Sequence, residues 1–208
     1  MKITIVGAGN MGRGIGTRAI AGGHEVEIAD RDPEQARALA EELGGSATAV
    51  GPDDPLGGEV VVFAVYYPGI KDAVREYADR LGGKVVVDIT NPIAETFDDL
   101  ATPAGTSSAE EVAQLVPDGT LVVKAFNTTF APTLVAGEVA GQQLDILIAG
   151  DDDDAKQKVS QLAADGGLRP LDVGPLRRAR QLEQLGFLHI ALQQPLDLGY
   201  GSAIKLHS

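Results

Sequence analysis

Three glycines and an aspartate near the amino terminus have the types and spacing of a nucleotide-binding loop. Gly7, Gly9 and Gly12 follow the β-branched run of residues 2–6, and Asp30 lies 18 positions after Gly12. In such a loop the first glycine permits a tight turn, and the second lets the backbone approach a pyrophosphate. The third allows the next helix to pack closely on the strand. Strand, glycines, helix and acid in this order predict a dinucleotide site.

The residues around this loop are candidates for contacts with different parts of the dinucleotide. Asn10 and Met11 lie at the predicted start of the helix, where free N–H groups and the positive end of the helix dipole bind phosphate. Asp30 would accept hydrogen bonds from the ribose hydroxyls of NAD. Arg31 can stack on adenine or reach the 2′-phosphate of NADP. From these residues alone, NAD and NADP are both possible.

Further candidates follow two buried, apolar strands later in the chain. Val65, Tyr66 and Tyr67 stand at the end of one strand, where the nicotinamide half of a dinucleotide usually lies. Asn91 and Pro92 follow the next strand, and the asparagine amide could fix the nicotinamide. The alternative for the tyrosines is simple packing, and for Asn91–Pro92 it is a turn-forming pair.

Polar residues follow a third strand end and are candidates for a second ligand. Asn127, Thr128 and Thr129 offer converging hydrogen-bonding groups, and we expect them to line a substrate pocket. Lys124, just before them, could meet an anionic group or be solvated. His189 lies on an apolar helix and is more often a core or interface residue in such a position.

The elements that position these residues alternate between strand and helix. This alternation predicts an α/β fold of the Rossmann type, with a doubly wound, mainly parallel sheet and a small C-terminal helical cap. Residues 1–150 are expected to form the dinucleotide-binding domain. Residues 151–208 should supply a last strand and helix that complete the substrate pocket. That helix is apolar nearly all round, which predicts a homodimer built through it.

Composition narrows the class of protein. The chain has 208 residues, a net charge of −13 and no cysteine. The negative charge disfavours nucleic acid and anionic membranes, and the lack of cysteine excludes thiol catalysis and disulfides. No apolar run approaches the length of a membrane span, and the first predicted strand starts at residue 2, so we expect no signal peptide and a cytoplasmic protein. The run Asp151–Asp154 is better explained by helix capping than by a metal site.

Motifs at both ends of the chain resemble one enzyme family. The first is ITIVGAGNMGRGIG at residues 3–16, and the more specific ones are GDDD at 150–153 and GLRPLDVGPL at 167–176. They resemble the coenzyme F420-dependent NADP oxidoreductases. The resemblance implies hydride transfer between NADP(H) and a deazaflavin (coenzyme F420) or flavin, a small-molecule redox carrier. It places the 2′-phosphate at Asp30, Arg31 and Asp32, and the deazaflavin at residues 127–129 and the last helix.

Two departures from the family pattern keep other functions open. Arg31 stands between two acids where the family offers a hydroxyl and basic residues, and Asn127 replaces a family histidine near the deazaflavin. Hydride transfer between planar rings needs little acid–base help, so no catalytic side chain is predicted. One alternative is a Rossmann reductase of a small imine or keto substrate, which needs a proton donor. Another is a non-catalytic NAD(P)-binding sensor.

Overall fold

A computed structural model describes residues 1–51 and 53–207. The structure contains one eight-stranded sheet, with helices on both faces, and a separate two-stranded hairpin formed by β7 and β8. The strands are β1 (Lys2–Val6), β2 (Glu25–Ala29), β3 (Ala47–Ala49), β4 (Val60–Phe63), β5 (Val85–Asp88), β6 (Leu121–Lys124), β7 (Glu138–Val139), β8 (Gln142–Gln143), β9 (Asp145–Gly150) and β10 (Arg169–Gly174). The helices are α1 (Asn10–Ala21), α2 (Pro33–Leu43), α3 (Tyr67–Tyr77), α4 (Ser108–Ala113), α5 (Ala131–Ala136), α6 (Asp153–Asp165) and α7 (Ala179–Ala191).

The order of the strands confirms the predicted Rossmann-type sheet. The order is β10-β9-β6-β5-β4-β1-β2-β3, and β1 to β6 are mutually parallel. The chain leaves β1 toward β2 and β3, and then returns to β4 on the other side of β1. This reversal is the topological switch point at which open α/β sheets bind ligands. β9 is antiparallel to β6, and β10 is parallel to β9, so the sheet is mainly but not wholly parallel.

The core lies on both faces of the sheet. In β4, Val60 and Val62 belong to one apolar cluster, whereas Val61 and Phe63 belong to the other. Alternate residues of a strand point to opposite faces, so a strand covered on both sides is apolar throughout. None of the helices in the described ranges is long and apolar enough to cross a membrane.

The structure adds one segment that the sequence pattern did not predict. Residues 131–143 contain α5 and the hairpin of β7 and β8, where no element was expected. α5 has only six residues, too few to show a helical period. Two local signals were available: Pro132 lies in its first turn, and Gly137 ends it at a φ of 81°.

The C-terminal helix differs from its predicted form. A 3₁₀ turn at Leu176–Arg178 precedes α7, and α7 buries Glu183 and His189 rather than an unbroken apolar surface. Leu188 and Leu192 are exposed, so the apolar character is divided between a buried face and an outer face. The helix crosses the carboxyl ends of β5 and β6, where its residues contact Asn91 and Asn127.

Candidate functional site

A cavity of about 520 Å³ lies at the carboxyl ends of β1, β4, β5 and β6. It extends from the glycine loop to the polar residues after β6. Most of the predicted site residues line this cavity: Gly9, Asn10, Met11, Val65, Tyr66, Tyr67, Asn91, Asn127 and Thr129. Gly7, Gly12, Asp30, Arg31, Pro92 and Thr128 are not part of its lining.

The glycine loop leaves space at one position and none at two others. A Cβ on Gly12 would lie 2.1 Å from the carbonyl oxygen of Gly7, and a Cβ on Gly7 would lie 2.5 Å from that of Ala64. A Cβ on Gly9 would meet no atom of the described chain within 4 Å. Gly7 and Gly12 therefore allow close backbone packing, whereas Gly9 keeps open a space at the cavity.

The helix that starts at this loop has no side-chain cap. The first turn of α1 contains no acidic residue, and no side chain of the described residues caps it. The same is true of α3, which begins at Tyr67 on the cavity. By contrast, Asp32 caps α2 and Asp152 caps α6, as the helix-capping interpretation of the aspartate run predicts. The uncapped start of α1 leaves N–H groups and partial positive charge for a bound anion. At α3, Pro68 has no N–H group and the Gly69 N–H donates to the Tyr66 carbonyl oxygen, so α1 is the better anion site.

Asp30 holds the glycine loop through hydrogen bonds to backbone amides. Its Oδ2 accepts a hydrogen bond of 2.7 Å from the Ala8 amide, and its Oδ1 accepts one of 2.9 Å from the Asp32 amide. Each carboxylate oxygen has a further lone pair that can accept a ligand hydroxyl. Arg31 is exposed beside it. The acid therefore fixes the loop in addition to any contact with a ribose.

Asn91 and Asn127 form a pair across the ends of β5 and β6. The Asn91 Nδ2 donates to the Asn127 carbonyl oxygen at 2.8 Å, and the Asn127 Nδ2 donates to the Asn91 Oδ1 at 2.9 Å. The Asn127 Nδ2 also donates to the Leu182 carbonyl oxygen on α7. One of the two N–H donors of the Asn91 amide is therefore used by Asn127, while Asn91 still lines the cavity, so its contact with nicotinamide stays a prediction.

One acceptor atom of the asparagine pair has no hydrogen-bond partner among the described residues. The Asn127 Oδ1 is buried and has no hydrogen-bond partner within residues 1–51 and 53–207. Exchanging the amide nitrogen and oxygen would place oxygen against two acceptors, so the hydrogen-bond network fixes this orientation. A buried acceptor without a partner is costly unless a ligand satisfies it.

A buried charge cluster joins the same three elements as the asparagine pair, namely β5, β6 and α7. Lys124 Nζ lies 3.0 Å from Asp88 Oδ2 and 2.8 Å from Glu183 Oε1, and all three side chains are fully buried. Lys124 also donates to the carbonyl oxygen of Thr90, which lines the cavity. Burial raises the pKa of Glu183, although Lys124 opposes this. Lys124 is thus neither solvated nor free to meet an external anion, contrary to both expectations.

Sequence reasoning missed two members of this charge cluster. Asp88 ends the otherwise apolar run Val85–Val87, and a charged residue in a strand covered on both faces needs a partner. That signal could have identified Asp88 as paired. Glu183 showed no comparable signal, because its partner Lys124 is 59 positions away.

The two tyrosines after β4 have different environments. Tyr66 is 89% exposed at the cavity. Tyr67 donates from its hydroxyl to Glu111 at 2.9 Å. Burial, together with Glu111, raises the pKa of Tyr67 well above its usual range. Tyr67 therefore stays protonated, and its hydroxyl donates a hydrogen bond to Glu111 rather than to a ligand.

Thr128 and Thr129 also make internal contacts. The Thr129 hydroxyl donates to the Phe126 carbonyl oxygen at 2.7 Å, and Thr129 lines the cavity. The Thr128 carbonyl oxygen lies 3.2 Å from Nδ1 of His189. Burial lowers the pKa of His189, so its ring is neutral near pH 7. His189 is a buried residue behind the cavity, in line with its expected core position.

Comparison with known proteins shows similarity to oxidoreductases. The family model described as "NADP oxidoreductase coenzyme F420-dependent" matches residues 2–92. The F420-dependent NADP reductase of Methanocaldococcus jannaschii is 30% identical over 208 residues, covering 92% of each chain. A solved structure from Arthrobacter sp. FB24, assigned as an F420-dependent NADP reductase, has a TM-score of 0.86 and 28% identity, and the match covers 100% of both chains.

A second group of relatives is longer than this chain. Metalloreductase STEAP3 of Rattus norvegicus is 33% identical over 184 residues, which cover 88% of this chain. The chain spans 36% of the length of that relative. Because the reductase from M. jannaschii is matched over nearly its whole length, it decides the family. The chain belongs to the family of coenzyme F420-dependent NADP oxidoreductases.

Proposed function

We propose that the chain transfers hydride between NADP(H) and a planar redox carrier, either coenzyme F420 or a flavin. The observation that carries the proposal is the single cavity that joins the glycine loop to Asn127 and Thr129. A dinucleotide and a second ring can meet only where both sites share one space. We infer that residues 1–150 bind the dinucleotide and that residues 151–208 complete the second site through α7.

The glycine-loop end fits the dinucleotide. The open space at Gly9 would accept the pyrophosphate, and the uncapped start of α1 would face it. Asp30 would keep the loop in shape and accept ribose hydroxyls. Arg31, which is exposed, would pair with the 2′-phosphate of NADP, and this contact favours NADP over NAD.

The Asn127 end fits a ring that carries a hydrogen-bond donor. The unpartnered Asn127 Oδ1 can accept from a ring N–H of the carrier. In the transfer, the C4–H bond of NADPH breaks, its electron pair and hydrogen form a new bond on the carrier, and the reduced carrier takes up one proton from water. The residues around the cavity hold the two rings together and exclude water.

The side chains support hydride transfer better than reduction of an imine or ketone. That second reaction needs a proton donor at the substrate. Tyr67 is hydrogen-bonded to Glu111, and Lys124 is enclosed by Asp88 and Glu183. Neither Tyr67 nor Lys124 is therefore available as a proton donor.

The test measures the oxidation of NADPH with a series of acceptors. Oxidised F420, FMN, FAD and riboflavin are compared, and a ferric chelate is included because one relative is a metalloreductase. We expect turnover with F420 or a flavin, and a lower Kd for NADPH than for NADH. Tight NADPH binding with no turnover of any acceptor would instead favour a sensor, and turnover with the ferric chelate alone would exclude the proposed carrier.

We also propose that the chain forms a homodimer through the outer face of α7. Leu188 and Leu192 are exposed on this helix, and Leu196 is exposed just after it. A row of exposed leucines favours association with a second apolar surface. Light scattering at micromolar concentration is expected to give the dimer mass, and a monomer mass would contradict the proposal.

A further inference from the structure

The segment after α7 returns to the cavity and adds an aromatic ring to it. Gly199 and Tyr200 line the cavity, and the Tyr200 side chain is 49% exposed. The ring packs edge-to-face on Phe130, with centroids 5.2 Å apart. Phe130 directly follows Thr129, so Tyr200 packs on the segment that we assign to the carrier. Neither Gly199 nor Tyr200 was predicted as a site residue.

The backbone of Tyr200 has an unusual conformation for a residue with a side chain. Its φ is 57°, in the left-handed region that favours glycine. Glycine occurs on both sides of it, at 199 and 201, yet the residue at this position is tyrosine. A bulky residue in this region costs free energy and persists only where neighbouring contacts determine it.

Those contacts form a latch made of Gln193, His189 and Ser202. The Gln193 Oε1 accepts from the Tyr200 amide at 3.0 Å, and the Gln193 Nε2 donates to the His189 carbonyl oxygen and the Ser202 hydroxyl. Nε2 of His189 lies 2.9 Å from the Ser202 hydroxyl. Gln193 and His189 are both buried. The latch thus ties the chain on either side of Tyr200 to the end of α7.

We propose that Tyr200 is a specificity-determining residue for the second substrate. A planar heteroaromatic ring packs against the exposed part of the Tyr200 ring. The latch holds the backbone of Tyr200 in the conformation that directs this ring to the cavity. The inference rests on the proposed hydride transfer, because that reaction brings a planar carrier to this end of the cavity. Aromatic side chains bind planar rings by stacking and edge contacts that an aliphatic side chain of similar size does not provide.

The test compares three variants with the wild-type enzyme, with oxidised F420 and FMN as carriers. Tyr200→Leu keeps an apolar cover on Phe130 but removes the aromatic ring, and should raise the KM for the carrier about tenfold with the Kd for NADPH unchanged. Tyr200→Phe should recover most of that loss. Phe97→Leu is the matched control, because Phe97 is also a half-exposed aromatic residue that packs edge-to-face on a phenylalanine, but it does not line the cavity.

A second readout separates this proposal from the proposed function. F420 or FMN fluorescence is titrated with the NADP⁺-loaded protein, and Tyr200→Leu should weaken carrier binding about tenfold whether or not turnover occurs. Wild-type turnover with no change of KM in Tyr200→Leu would overturn the role of Tyr200 and leave the function in place. Equal losses of NADPH and carrier binding would also overturn it. No carrier binding by the wild-type protein would overturn both.

The latch is tested by Ser202→Ala, as a positioning residue. Its side chain contacts His189 and Gln193 rather than the cavity. We expect a smaller rise in the carrier KM, about threefold, with kcat and the NADPH Kd retained. An unchanged KM would contradict the latch, and a loss of kcat alone would indicate a different role.

Discussion

The two ends of the cavity are constructed in different ways. At the glycine loop, the site consists of backbone: Gly9 leaves an open space, and α1 begins without a side-chain cap. At the Asn127 end, the site consists of side chains that follow β5 and β6 and hydrogen-bond to each other and to α7, and a buried charge cluster joins the same three elements. The first end needs only a local sequence pattern, whereas the second needs the whole fold to be in place.

The largest expected effect is at the side-chain end. Lys124→Met removes the cation between Asp88 and Glu183 and leaves two buried carboxylates without it. We expect the free energy of unfolding to fall by about 3–5 kcal/mol, measured by urea denaturation. The matched control is Lys158→Met, whose partner Glu59 and own side chain are both half exposed. That control should cost less than about 1 kcal/mol, and similar losses in the two variants would contradict the difference.

At the backbone end, binding and stability should separate. Gly9→Ala places a methyl group in the open space, so the Kd for NADPH should rise about tenfold while the free energy of unfolding changes by less than about 1 kcal/mol. Gly12→Ala drives a Cβ to 2.1 Å from the Gly7 carbonyl oxygen and should also lower stability. Calorimetric titration and thermal unfolding measure the two quantities. An undisturbed Kd in Gly9→Ala would show that the pyrophosphate lies elsewhere.

These two regions also show what the sequence can predict. The glycine spacing, the acid at the end of β2 and the alternation of strand and helix are local patterns, and the predicted fold and loop followed from them. The two asparagines of the pair are 36 positions apart in the sequence. Glu183 accepts a hydrogen bond from the Ser108 amide at the start of α4, which is 75 positions away. No local period encodes such contacts. The sequence therefore predicted Asn91 at the end of a strand, but not its pairing with Asn127.

Gly186 is the point at which α7 approaches the asparagine pair. A Cβ there would lie 2.4 Å from the Asn91 Oδ1, so Gly186→Ala should displace Asn91 and disturb Asn127. We expect the KM for the carrier to rise several-fold with little change in the NADPH Kd, as steady-state kinetics would show, and a loss of about 1–3 kcal/mol in stability. Gly82→Ala is the control, since a Cβ there meets no described atom within 4 Å. A change of NADPH Kd alone would contradict the assignment of the two ends.

The smallest expected effect concerns pH and the latch behind the carrier end. Burial holds the pKa of His189 below its usual value near 6.5, so the folded protein favours the neutral ring. This contribution to stability is complete above the unfolded pKa and is lost as the pH falls below about 6.5, by at most about 1.4 kcal/mol per pH unit. The free energy of unfolding is compared in wild type and His189→Gln. His24 is present in both proteins, so the difference between their pH profiles reports on His189 alone. Equal pH profiles of the free energy of unfolding would show that His189 does not contribute to the pH dependence of stability.

The most direct test of the two-ended cavity follows one hydrogen atom. NADPH deuterated at C4 of the nicotinamide, on either face in separate samples, is reacted with oxidised F420, and the reduced carrier is analysed by mass spectrometry and NMR. Because C5 of the deazaflavin holds its hydrogen without exchange, the proposed geometry predicts deuterium at C5 from one of the two faces only. Reduced carrier without deuterium from either face would mean that the two rings do not meet in this cavity.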